Sequence, residues 1–264
     1  ENTAIGYASL DANTTGAENT AIGTSALGAN TTASYNTAIG RSSLAANTTG
    51  QRNVAIGYNA MDEATTGSDS VAVGYRAGHS VTTGIENTFI GYYAGAETTT
   101  ANYNIALGAS TLENNITGAN NIAIGRAALN VNTASNNTAV GHAALTANTT
   151  GSANIAIGTN TLDACTTSVS NVAVGNGAGG AVTTGNGENV FVGNNAGAGV
   201  TTGQQNIILG DNACANGTMT GNLNVIIGDN AGLVLSTGAN NVGVGAAALG
   251  ANTTGAQNTA IGKG

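Results

Sequence analysis

Two histidines, two cysteines and a run of tyrosines are the residues of this chain best equipped for chemistry, and their spacing argues against catalysis. His79 and His142 fall in different repeats with no carboxylate or nucleophile at a fixed offset, so both read as solvated corner residues. Cys165 and Cys214 lie three repeats apart at different positions in the unit. At about 4.8 Å per stacked coil they are roughly 14 Å apart, beyond disulfide reach, and they read as unpaired buried residues. Gly175-Asn176-Gly177-Ala178-Gly179-Gly180 matches a dinucleotide fingerprint, but no helical pattern follows it. Triplets such as Asn13-Thr14-Thr15 match the glycosylation acceptor pattern only because the repeat recurs. The Gly/Asp nonapeptide that binds calcium in some β-rolls is not found. The expectation is a protein that is not an enzyme, with no catalytic residues, cofactor or metal.

The aromatic residues point to a surface. All seven tyrosines lie in the first 103 residues, and Tyr58, Tyr75 and Tyr92 occupy the same position in three consecutive repeats, with Tyr93 beside them. Stacked coils would bring these rings into a ladder at about 4.8 Å spacing. Such a strip could face a glycan or a partner protein, or stabilise the stack without any ligand.

What must position these residues is the repeat itself. The pattern Asn-(Thr/Val/Ile)-Ala-(Ile/Val/Leu)-Gly returns sixteen times, from Asn2-Thr3-Ala4-Ile5-Gly6 to Asn258-Thr259-Ala260-Ile261-Gly262. Its glycine recurs every 17 residues, with one step of 16 ending at Gly141 and two of 18 ending at Gly193 and Gly228. A short fixed period means one small unit stacked on copies of itself. Apolar runs of three or four residues, rows of Thr and Asn, and recurrent Gly favour short strands and turns over helix. The fold class is therefore all-β, a parallel β-solenoid of about 16 coils forming one repeat domain over 1–264. Two extended segments and two Gly-marked corners are expected in each coil. Beginning and ending in mid-repeat, the chain reads as a segment of a longer fibre protein.

Composition removes several classes of partner. Net charge is −8 with five Lys and Arg in total, too few to neutralise nucleic acid phosphates or to hold an anionic membrane surface. No run of about 18 apolar residues is present, so this segment is not expected to insert in a membrane.

Within the strand, successive side chains alternate between faces. With the second and fourth positions assigned to the core, the third points outward. That third position is Ala in most coils, Phe at 89 and 191, Ile at 208 and 226, and never charged. An uncharged outward row on a rod predicts cover by copies of the same chain, with Ala38, Ala55, Ala72, Phe89, Phe191, Ile208 and Ile226 at the oligomer interface. The leading Asn, replaced only by Ser70, is expected to form a hydrogen-bonded ladder, and the Gly to turn a corner at positive φ.

Asn-Thr-Ala-Ile-Gly and variants such as Ser70-Val71-Ala72-Val73-Gly74 and Asn154-Ile155-Ala156-Ile157-Gly158 resemble the head repeat of the trimeric autotransporter adhesins (YadA-head-like repeats). Similar repeats occur in bacteriophage tail fibres. The unit here is longer, with an Asn-Thr-Thr-Gly second half at Asn13 to Gly16 and Asn148 to Gly151. The resemblance implies a left-handed parallel β-roll in a homotrimer. It also implies an extracellular, cell-surface or virion location and a role as rigid spacer and adhesive surface with a cell-surface or matrix ligand. Two alternatives are a protomer of a self-assembling extracellular filament and an ice-binding solenoid. The last rests on stacked Thr-Thr pairs, of which only one row can face outward.

Overall fold

The structure, a computed structural model, describes residues 1–264. The protein is a parallel β-solenoid. Every coil contributes one three-residue strand, and within each of two units neighbouring strands pair in sequence order with a register set by the repeat. The chain falls into two compact units, Glu1–Ser135 and Asn136–Gly264. Their boundary lies in the coil that is one residue short, between Gly125 and Gly141.

The first unit holds β1 (Thr3–Ile5), β2 (Thr20–Ile22), β3 (Thr37–Ile39), β4 (Val54–Ile56), β5 (Val71–Val73), β6 (Thr88–Ile90), β7 (Ile105–Leu107) and β8 (Ile122–Ile124). The second holds β9 (Thr138–Val140), β10 (Ile155–Ile157), β11 (Val172–Val174), β12 (Val190–Val192), β13 (Ile207–Leu209), β14 (Val225–Ile227), β15 (Val242–Val244) and β16 (Thr259–Ile261). Thr37, Ala38 and Ile39 pair with Val54, Ala55 and Ile56, and the same in-register pairing recurs within each unit.

The second extended segment is not there. Beyond each glycine the chain runs through turns in which non-glycine residues adopt positive φ, as at Ser25 (57°) and Leu27 (51°), and again at Tyr35 (65°) before the next Asn. That left-handed conformation costs roughly 1–2 kcal/mol per residue. It persists because it aims the peptide groups along the stack: Leu27 N–H donates to Ser43 O at 3.0 Å and Ser42 N–H to Thr24 O at 2.9 Å. Only Val200 and Met219 form a bridge in this half.

The strand faces are the reverse of the sequence expectation. The third position is the one turned inward: Ala38, Ala55, Ala72, Phe89, Phe191, Ile208 and Ile226 are all fully buried within the chain. Those residues are core, and they form no oligomer interface. The second and fourth positions face outward. The reason is volume. Opposite the strand stands a row of buried Leu27, Leu44, Met61, Leu112, Leu129, Leu145 and Leu162, which leaves room only for alanine. In two places that row becomes glycine in successive coils, Gly78 with Gly95 and Gly179 with Gly197, and the second coil of each pair carries phenylalanine in its strand. A methyl group on Gly78 or Gly95 would collide with the ring of Phe89, and one on Gly179 or Gly197 with that of Phe191. The exchange also runs the other way at Gly243, which faces Leu249. Interiors packed to crystalline density enforce such matching.

The corner glycine is fixed by both conformation and contact. Gly57 has φ +138°, and a Cβ there would overlap the carbonyl of Gly74 in the next coil. Gly57→Ala should destabilise the protein by about 3 kcal/mol. Gly28→Ala, whose methyl meets nothing closer than 3.4 Å, should stay within about 0.5 kcal/mol of the parent. Denaturant melts of the two variants check the contrast; equal shifts would contradict it.

Candidate functional site

The surface presents three groups of side chains with functional potential. The first is the tyrosine strip. Placed one residue after the corner glycines of consecutive coils, Tyr58 and Tyr75 stack with centroids 5.3 Å apart and planes 8° apart. Tyr75 and Tyr92 follow at 5.5 Å and 16°. Tyr93 leans against both, 5.6 Å from Tyr75 and 4.6 Å from Tyr92. The sequence-predicted strip is thus assembled, with Tyr58, Tyr75 and Tyr92 exposed. Two cations join it that the sequence reading left out: the Arg41 guanidinium lies 5.6 Å from the Tyr58 ring centroid and that of Arg76 lies 5.5 Å from Tyr93. Arg41 was legible, since it occupies the same position as Tyr58 one coil earlier. Loss of hydration, then the neighbouring Tyr93, raises the Tyr75 phenol above its ordinary range.

The second is a charged cluster. His79 is buried, not a solvated corner residue. Its Nε2 lies 3.2 Å from Asp62 Oδ1 and 2.9 Å from an Arg76 guanidinium nitrogen, while Nδ1 lies 3.2 Å from Ser80 Oγ. The carboxylate partner comes from the preceding coil at the position 17 residues earlier, an offset the repeat itself supplies. Burial raises the Asp62 carboxyl above the usual range, and Glu63 adds to this; His79 and Arg76 pull the other way. No three His, Cys, Asp or Glu side chains are grouped to hold a metal ion. His142 is exposed.

The third is the outward sheet face, which sequence reasoning assigned to the core. Its two rows, Thr37, Val54 and Val71 beside Ile39, Ile56 and Val73 in one stretch, consist of Thr, Val, Ile and Leu throughout and carry no charge. Away from the chain ends, isoleucines of this face such as Ile56, Ile124 and Ile157 are 36–41% exposed.

The remaining candidates resolve into structure. Cys165 and Cys214 are unpaired and buried, and burial pushes their thiols up to about 11 and about 12. Asn30, Asn47 and Asn148 of the Asn-Thr-Thr triplets are buried, and the Asn47 amide donates to Gly50 O at 3.0 Å. The first threonine hydroxyl of each pair is turned to the stack, Thr48 Oγ1 donating to Thr65 O at 3.0 Å and Thr65 Oγ1 to Thr82 O at 3.1 Å. The second threonine, as at Thr49 and Thr66, forms one exposed row. Gly175 to Gly180 is a corner after β11 with no helix behind it.

Comparison with family models, curated proteins and solved structures gives no match.

The raised Asp62 carboxyl predicts a pH-dependent variant. The folded chain holds that proton more tightly than the unfolded chain does, so stability falls as pH rises from the ordinary carboxyl value through the raised one. Asp62→Asn should melt higher than the parent at neutral pH. The gap should close near about pH 3, where the carboxyl is protonated in both states. A gap that is constant with pH would contradict this.

Proposed function

We propose that this chain is a structural and adhesive segment of an extracellular or virion fibre, a rigid spacer whose copies assemble as a homotrimer. The observation that carries the reading is the outward sheet face. It is flat, uncharged and built from β-branched side chains, and it leaves isoleucines partly exposed along each unit. Eight strands at about 4.8 Å spacing and a width of roughly 10 Å give roughly 400 Å² of such surface per unit, in the range that marks interaction sites.

A second copy of the same face is the partner that fits. A repeating row of Ile, Val and Thr at the coil spacing meets an identical row at the same spacing, and no charge is left stranded. Burial of this kind contributes about 25 cal/mol per Å² before association costs. The number three follows the resemblance to the adhesin heads and phage fibres, as does placement at a cell or virion surface.

Light scattering should give about three times the 25.4 kDa chain mass for the parent. Ile157→Glu, which sets a carboxylate on the outward face, should return a folded monomer. A parent that runs as a 25.4 kDa monomer would sink the assembly.

A further inference from the structure

Arg41, Tyr58, Tyr75 and Tyr92 are four consecutive rungs of one ladder. Parallel rings in contact sit about 3.5–4 Å apart, so centroids 5.3 and 5.5 Å apart require the tyrosines to overlap like roof tiles. Each tile keeps part of one face open, and the three tyrosines are 41%, 42% and 57% exposed. The row above Tyr92 continues as Ala109, so the aromatic run ends at Tyr92.

Charge sets the ligand class. The protein carries −8 overall, yet this strip is bordered by two guanidinium groups, Arg41 at the Tyr58 end and Arg76 behind Tyr93. Arg76 is held by the His79 ring and lies over Tyr93, whereas Arg41 is exposed and makes no ion pair. A free cation at the end of a tiled aromatic row suits a ligand with flat C–H faces, hydroxyl groups and negative charge.

We propose that the Arg41–Tyr58–Tyr75–Tyr92 ladder binds an acidic polysaccharide lying along the stack. Sugar faces rest on the tiles, sugar hydroxyls meet the phenol edges, and a uronate carboxylate pairs with Arg41. The 5.3 and 5.5 Å spacing is comparable to the advance of one sugar in an extended chain, so successive residues meet successive rungs. The corner glycines Gly57, Gly74 and Gly91 stand between this strip and the outward sheet face. The inference extends the adhesive reading but needs only one chain.

Calorimetric titration of the intact protein with an oligogalacturonate, and with an uncharged cello-oligosaccharide of equal length, tests it. Saturable binding of the uronate is expected. Tyr75→Ser should weaken it by about tenfold, and Arg41→Gln should weaken it about threefold and flatten its salt dependence. Tyr7→Ser, at the same position in the unit but parted from the ladder by Thr24, should leave affinity unchanged. No uronate binding, equal affinity for the uncharged chain, or binding indifferent to Tyr75→Ser would overturn the proposal. Light scattering on the same samples separates its failure from that of the trimer.

Discussion

At the entrance to each strand a backbone N–H must be satisfied inside the protein, and the asparagine of the preceding coil satisfies it. Asn36 N–H donates to Asn19 Oδ1 and Asn53 N–H to Asn36 Oδ1, each at 3.0 Å. The amide of the same side chain donates across its own coil, Asn36 Nδ2 to Gly50 O at 2.9 Å and Asn53 Nδ2 to Gly67 O at 2.8 Å. One residue therefore ties a coil to its neighbour and closes its loop. These asparagines are buried, so loss of either bond would leave an orphaned polar group. In the second unit the pattern returns at Asn206, Asn224 and Asn241. At Ser70 the shorter side chain keeps the axial link, accepting from Asn87 N–H at 3.1 Å, but its hydroxyl turns to Ser68 O instead of reaching across the coil.

Because that ladder sets the register, every other row is stacked on copies of itself, and each row's character follows. Gly stacks on Gly where a Cβ has no room, and Tyr tiles on Tyr where the position faces water. A row that changes type leaves a visible defect. The inner Asn13, Asn30 and Asn47 run hands its amide hydrogen along until Ala64 breaks it, and Asn47 Oδ1 is left without a donor.

The solenoid class, the coil period, the glycine corners and the tyrosine ladder were legible because each is a periodic signal in one dimension. The facing of the strand was not. Alternation specifies that Ala55 opposes Val54 and Ile56, but both faces are uncharged, so hydropathy alone cannot choose between them. The decisive signal was a pairing of rows: Phe89 and Phe191 appear where the leucine row falls to Gly95 and Gly197 in the same coils. Large residues that answer small ones across a coil share a core. The same oversight hid the Asp62 and His79 contact, since residues 17 apart are neighbours in a stack. With the facing corrected, the exposed rows of Ile, Val and Thr replace the alanine row as the surface that copies would cover.

The account stands or falls on the asparagine ladder, and Asn53→Ala tests it most directly. The substitution strands the Ser70 N–H and the Gly67 carbonyl while removing no apolar packing. Denaturant unfolding should show a loss of about 2–4 kcal/mol. A variant as stable as the parent would show that the stack is held by its backbone ladder and core rows alone, and would contradict the account.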